Sequence, residues 1–97
     1  MEKLIADAIT NRRVLVLHYN GHRRIVEPHM LGTTSAGNVA LSAYQTAGGS
    51  RSGEVPGWKL MRLSEIHQPA EEGNSFSGAR PGYNPNTKTM TSILAQL

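Results

Sequence analysis

Apolar positions follow a helical period at the start of the chain. Residues 2–11 place Leu4, Ile5, Ala8 and Ile9 on one side of a 3.6-residue repeat, which predicts a short amphipathic helix. Acidic residues lie near its start and arginines follow its end, as the helix dipole favours. A helix this short is not stable alone in water, so we expect it to pack on the rest of the domain.

A β-hairpin is predicted directly after this helix. The run from Val14 to Tyr19 is rich in β-branched and aromatic residues, and Asn20-Gly21 is a strong two-residue hairpin signal. A turn at this dipeptide sets the register of the two strands, with three expected cross-strand pairs: Leu17 with Arg24, Val16 with Ile25, and Leu15 with Val26. Pro28 cannot donate a hydrogen bond to a ladder, so we expect it at a strand end or a bulge.

Two more strands are predicted in the middle of the chain. Residues 38–45 alternate apolar and polar positions, and Trp58 to Ile66 forms a further strand that Pro69 ends. Residues 32–37 are expected to form a turn. Residues 48–57 are rich in glycine and serine, which predicts a flexible loop with Arg51 at its tip.

The last third of the chain changes in composition. Residues 68–85 are rich in Gly, Pro, Ser, Asn and Glu, which predicts irregular structure with Phe76 and Tyr83 as hydrophobic anchors. The segment 86–97 then shows one apolar stripe at helical spacing, made by Met90, Ile93, Leu94 and Leu97. We therefore expect a C-terminal helix, which packs either on its own domain or on a neighbouring chain.

These elements together predict one α+β domain over residues 1–97. Its centre is expected to be a small antiparallel β-barrel, with the barrel core at about 13–67 and an irregular tail and helix at 68–97. The 97 residues contain no cysteine, no apolar run of membrane-spanning length and no signal-peptide pattern. The simplest expectation is a soluble cytoplasmic protein without a membrane association.

Positive charge is concentrated in the strand region. The whole chain has a formal charge of +3, but seven basic residues against two acidic ones lie between Arg12 and Arg62, a net of +5. Such a region attracts phosphates and acidic partners. The alternative is that these charges only keep the domain soluble.

Several segments resemble the WYL domain family. The most specific is Tyr19 followed by Arg24-Ile-Val-Glu-Pro28-His-Met-Leu31, an Arg-x-Val-x-Pro-x-x-Leu pattern. The resemblance covers residues 4–67, about two thirds of the chain. Of the tripeptide that names the family, only the leucine of Val39-Ala-Leu41 remains, and Met61, Ser64 and Glu65 depart from the family pattern near Arg62.

The resemblance implies an Sm-like or SH3-like barrel with a regulatory binding role. Family members are commonly sensor domains joined to helix-turn-helix repressors, or nucleic-acid-contacting modules in bacterial and phage defence. The short N-terminal helix leaves no room for a three-helix DNA-reading unit, so we expect this chain to act alone, as an oligomer or beside a partner. It is accordingly expected to take part in transcription regulation in a prokaryote or a phage.

Arg24 is the first candidate for binding a ligand, because its guanidinium can make a bidentate contact with phosphate. The pairing above places it on a largely apolar strand face, where it needs an external anion, water, or an internal carboxylate such as Glu27 or Glu65. The full set of candidate ligand or nucleic-acid contacts is Tyr19, Arg24, His29, Tyr44, Trp58, Lys59 and Arg62.

The alternatives for these residues are structural. Trp58 and Arg62 share strand parity and together suit a nucleotide or single-stranded nucleic acid, but Trp58 can equally belong to the core. His29 either lines the pocket of Arg24 or lies at the surface. The four histidines have no accompanying carboxylate cluster, so no metal site is predicted.

The sequence contains no catalytic motif, and we expect neither an enzyme nor a cofactor. The first functional hypothesis is a regulatory module that binds a phosphate-bearing ligand, either a nucleotide or a nucleic acid. The second is a protein-interaction or oligomerisation subunit that uses a strand edge or the C-terminal helix. A third hypothesis is an Sm-like RNA-binding ring.

Overall fold

One antiparallel sheet of six strands packs a short helix on one of its faces. The computed structural model describes all residues from 1 to 97. The helix α1 spans Glu2–Thr10, and the strands are β1 Arg13–Tyr19, β2 His22–Thr34, β3 Val39–Gly48, β4 Gly57–Arg62, β5 His67–Ser75 and β6 Met90–Gln96. The α+β class and the N-terminal helix are confirmed.

The first hairpin forms in the predicted register. Leu17 pairs with Arg24, Val16 with Ile25, and Leu15 with Val26. Asn20 and Gly21 both have positive φ angles, 50° and 76°, as a tight type I′ turn requires. This register places Arg24 on the same sheet face as the buried leucines of β1.

The thirteen-residue strand β2 organises the sheet. β3 pairs along one side of it, while the other side is shared by β1 in its first half and β6 in its second half. The pairing of β2 with β3 shifts register between Pro28 and Met30, which confirms a bulge beside the proline. The bulge inserts His29 as the extra residue.

The main hydrophobic core lies between α1 and the sheet face that we call the inner face. Ile5, Ala8 and Ile9 of the helix pack there in a buried cluster with Leu15, Leu17, Val26, Leu31, Leu41, Ala43, Met61 and Ile66. A smaller cluster of Met30, Ala40 and Met90 lies on the opposite face, which we call the outer face.

The predicted closed barrel is wrong, because the sheet remains open. The strands follow the order β4-β3-β2-β1-β5, with β6 beside β2, so β4 and β5 form two unpaired ends. A side-chain hydrogen bond bridges part of the gap: the hydroxyl of Tyr19 in β1 accepts from the amide of Arg62 in β4 at 3.1 Å.

The predicted C-terminal helix is also wrong. Residues 90–96 form β6, which pairs with the second half of β2 and fills the edge that β1 leaves free. The stripe Met90, Ile93, Leu94 and Leu97 does not mark a helix face, since Met90 packs on the outer face while Ile93 and Leu94 are exposed. A docking role for such a helix therefore has no basis.

Three other element boundaries differ from the expectation. β2 continues to Thr34, so only the second half of the range predicted as a turn, residues 35–37, lies outside the strand. The strand from Trp58 ends at Arg62, and a single 3-10 turn follows at Leu63–Glu65. Pro69 does not end a strand but lies inside β5. Because β5 is an edge strand that pairs only with β1, it tolerates the missing amide of the proline.

No helix of the fold has the length and apolar character needed to cross a membrane.

Candidate anion-binding site

The Arg24 side chain is buried without an acidic partner. Only 3% of the residue is exposed, and its Nε and Nη2 atoms donate to the carbonyl of Tyr19 at 3.2 and 3.0 Å. The Nη1 atom donates to Oε1 of Gln45 at 3.3 Å. Both acceptor atoms of these three bonds are neutral oxygens, so the bonds orient the guanidinium and leave its positive charge uncompensated.

The two carboxylates that were candidates for pairing with Arg24 are used elsewhere. The carboxylate of Glu27 accepts two bonds from Arg80, at 2.7 and 2.9 Å. Glu65 lies 3.9 Å from the guanidinium of Arg62. Burial lowers the pKa of Arg24, and the neighbouring Tyr19 acts in the opposite direction.

Two glycines at the end of β3 bring a loop against Arg24. Gly48 has a φ of +90°, and a Cβ atom there would collide with the carbonyl of Arg23. Gly49 donates to that same carbonyl at 3.0 Å and accepts from the amide of Gln45 at 2.8 Å. Because the backbones approach so closely, the 50–56 loop starts beside Arg24 and its serines point toward β4.

Lys59 completes the basic side of this pocket. Its ammonium donates to the hydroxyls of Ser50 and Ser52 at 3.1 and 3.2 Å. The resulting cavity measures about 180 Å³. Its lining consists of Tyr19, Asn20, Arg24, Ser50, Arg51, Ser52, Lys59, Leu60 and Met61.

The chemistry of this lining favours an anion. It contains three cationic side chains and two serine hydroxyls but no carboxylate, and neither Lys59 nor Arg51 forms a salt bridge. Ammonium, guanidinium and hydroxyl groups are the side chains that surround phosphate oxygens in proteins. The cavity can hold a phosphate group together with part of what it is attached to.

The predicted site residues separate into three groups. Tyr19, Arg24 and Lys59 lie together in the pocket. Arg62 lies on the far side of Tyr19, at the end of β4, where its side chain is exposed. His29, Tyr44 and Trp58 lie on the outer face and do not reach the pocket.

The outer-face residues form an aromatic cluster around His29. The imidazole is fully buried, with its ring centroid 4.7 Å from that of Trp58 and 5.6 Å from that of Phe76. Its Nδ1 atom donates to the carbonyl of Glu27 at 2.8 Å, and its Nε2 atom accepts from the amide of Arg80 at 3.1 Å. His29 is therefore the neutral Nδ1–H tautomer, and it does not line the pocket of Arg24.

Trp58 and Tyr44 hold the segment 76–83 against the sheet. The indole of Trp58 donates to the carbonyl of Pro81 at 2.9 Å, and its ring is stacked on that of Tyr83. The guanidinium of Arg80 lies 4.8 Å from the ring centre of Tyr44. These contacts assign both aromatics to packing on this face.

Sequence reasoning missed the polar partners of the pocket. Gln45, Ser50 and Ser52 carry no motif, and only the Gly48-Gly49 pair signals that the chain passes close to another strand at this point. Arg80 was also missed. It lies in a segment without periodicity, 53 residues from its partner Glu27.

None of the four histidines lines the pocket of Arg24 and Lys59. His18 in β1 pairs across the ladders with Arg23 and His67, away from the pocket. No group of three His, Asp or Glu side chains has an arrangement that could hold a metal ion.

In comparisons with known proteins, no family model, curated protein or solved structure matches this chain.

Proposed function

We propose that this chain is a non-enzymatic regulatory module that binds a phosphate-bearing ligand, a nucleotide or a nucleic acid, in the pocket of Arg24 and Lys59. The observation that carries the proposal is the buried guanidinium of Arg24, which is held by three neutral-acceptor bonds beside a second cation. A preorganised arginine of this kind loses little side-chain entropy when it meets a bidentate anion.

The pocket offers a reason for ligand-dependent change as well as for binding. Ser50 and Ser52 belong to the loop between β3 and β4, and the hydroxyls of both accept a hydrogen bond from Lys59. A phosphate group that binds the ammonium of Lys59 also offers acceptor oxygens to the hydroxyls of Ser50 and Ser52. Arg51, exposed in the same loop, is then drawn toward the ligand, so binding orders the loop around it.

The proposal includes a relationship to the WYL domain family and, through it, a role in transcription regulation. The Arg-x-Val-x-Pro-x-x-Leu pattern supports this relationship, because its arginine is Arg24 and its proline marks the bulge of β2. In this view the open sheet is a variant of an Sm-like or SH3-like barrel, in which the bond between Tyr19 and Arg62 stands where strand pairing would close the structure.

Direct titration tests the proposal. Inorganic phosphate, a nucleoside diphosphate and a single-stranded oligonucleotide are each added to the wild-type protein and to Lys59→Met, and binding is measured by calorimetry and by amide chemical shifts. We expect Lys59→Met to weaken binding at least tenfold, because it removes a charge that contacts the anion while keeping a side chain of similar length. Lys3→Met is the matched control, since Lys3 is an exposed helix residue outside the pocket.

The ligands distinguish the two versions of the proposal. Nucleic acid binding falls steeply with salt, and loss of one phosphate contact reduces the slope of log K against log salt by about one. A small nucleotide that binds tightly at high salt favours the nucleotide version. Equal affinity of wild type and Lys59→Met for all three probes would refute the assignment of this pocket.

A further inference from the structure

The outer edge of β4 carries unpaired backbone groups. β4 lies at one end of the sheet and pairs only with β3. The amide of Arg62 donates outward to the Tyr19 hydroxyl, so it faces away from β3. Backbone groups alternate in direction along an antiparallel ladder, and the N–H and C=O of Trp58 and Leu60 therefore face the same outer edge. Four hydrogen-bonding groups lie open there, next to Tyr19.

Two different surfaces flank this edge. On the inner side, Lys59 and Arg51 belong to the basic pocket. On the outer side lies a groove of about 360 Å³ whose apolar lining is Met30, Trp58, Leu60, Tyr83 and Met90. Leu60 is 53% exposed beside this groove. A strand added to β4 would therefore alternate its side chains between a cationic surface and an apolar one.

The charge of β4 selects the kind of strand that fits. Its six residues include Lys59 and Arg62 and no acidic residue, and the nearest carboxylate to the Arg62 guanidinium lies 3.9 Å away on an exposed side chain. Lysine on an edge strand prevents pairing with a like-charged strand, whereas it attracts an acidic one.

The acidic strand β5 of a second copy is a poorer fit than a separate partner. Glu71 of β5 already bonds to Arg13 at 3.0 Å, and the β5 ladder is irregular. β5 also carries no large apolar side chain that could enter the groove.

We propose that the β4 edge accepts an extended acidic segment of a partner protein, which adds as an antiparallel strand. Antiparallel addition continues the pattern of the whole sheet and is the more stable pairing. Partner residues opposite Trp58 and Leu60 share their outer face, so these residues are apolar, and the acidic ones between them face Lys59. The inference goes beyond phosphate binding and does not depend on it.

A hexapeptide that alternates glutamate and valine, blocked at both ends, is the probe. We expect it to slow hydrogen exchange at the amides of Trp58 and Leu60 and to bind measurably to the wild-type protein. In antiparallel pairing the valine amides bond to β4, whereas the glutamate amides point away. N-methylation of the valines should therefore weaken binding at least tenfold, and N-methylation of the glutamates should leave it nearly unchanged. The two methylated peptides have the same charge and composition.

Two protein variants test the edge from the side of β4. Leu60→Pro removes the outward N–H but no bond of the ladder with β3, so peptide binding should fall at least tenfold. Lys59→Met should weaken the binding of both the peptide and phosphate, with Lys3→Met again as the control. If Leu60→Pro does not fold, the two methylated peptides decide alone.

Three results would overturn the inference. These are equal binding of the two methylated peptides, no binding of the unmodified peptide at millimolar concentration, and concentration-dependent self-association that Leu60→Pro abolishes. The last would identify a second copy as the occupant of the edge. Failure of phosphate binding alone would leave the edge inference standing.

Discussion

At the scale of single residues, the two adjacent arginines of β2 differ in every property except charge. Arg23 is exposed and its side chain makes no hydrogen bond, while Arg24 is buried and makes three. The alternation of a strand explains the difference, since neighbours point to opposite faces. Arg23 is therefore the matched control for any experiment on Arg24.

We expect Arg24→Ala to lower the free energy of unfolding by about 2–4 kcal/mol, because it leaves the Tyr19 carbonyl and the Gln45 amide oxygen without their buried donor. Arg23→Ala should change it by less than about 0.5 kcal/mol. Urea unfolding of both variants measures the difference. Similar small effects for both variants would mean that the bonds of Arg24 to Tyr19 and Gln45 are dispensable for the fold.

At the scale of elements, local signals were sufficient for the helix, the first hairpin and the bulge. Asn20-Gly21 fixed the register of β1 on β2, and Pro28 located the bulge, because each restricts the backbone by itself. The resulting faces also placed Arg24 beside buried residues. The pocket's other members depend on contacts between β3, the loop and β4, and no local pattern reports those.

The strands β5 and β6 could not be predicted because the free edges of the sheet create them. β5 carries no large apolar side chain and forms because β1 offers an unpaired edge. β6 has an apolar spacing that fits a helix, but Thr91 and Ile93 are β-branched, and the free second half of β2 decides the outcome. Tertiary pairing overrides such weak local preferences.

Gly32 provides the test of how β6 docks. A Cβ atom there would collide with the carbonyl of Ser92 and lie 3.3 Å from the sulfur of Met90, while the φ angle of Gly32 is ordinary. We expect Gly32→Ala to cost about 1–3 kcal/mol and to speed hydrogen exchange selectively in β6. Gly37→Ala is the control, since it strains a turn at φ +88° but meets no atom within 4 Å. Unchanged exchange in β6 would contradict the tight contact.

At the scale of the whole molecule, the two sheet faces are covered by different parts of the chain. The inner face holds the helix and the main core, and its margin near β4 forms the basic pocket. The outer face is covered by the segment 76–83, which is held by the Glu27–Arg80 pair, the Trp58 bond to Pro81 and the buried His29. Global stability therefore depends on His29 remaining an acceptor toward Arg80.

This dependence predicts a pH effect with a definite sign. Burial lowers the pKa of His29, while the Glu27 carbonyl and carboxylate oppose the shift and Arg80 adds to it. The folded imidazole is thus neutral where the unfolded one, with a pKa of about 6.5, is taking up a proton. The contribution of the neutral imidazole to the free energy of unfolding is complete above that value and is lost as pH falls from about 6.5 toward the lower folded pKa, with a limit of about 1.4 kcal/mol per pH unit.

Urea unfolding between about pH 7.5 and pH 5 measures this slope of the free energy of unfolding against pH, and His29→Gln, which stays neutral, should flatten it. An equal slope in the two proteins would assign the pH dependence to other groups, and the outer-face segment would then be held independently of the imidazole.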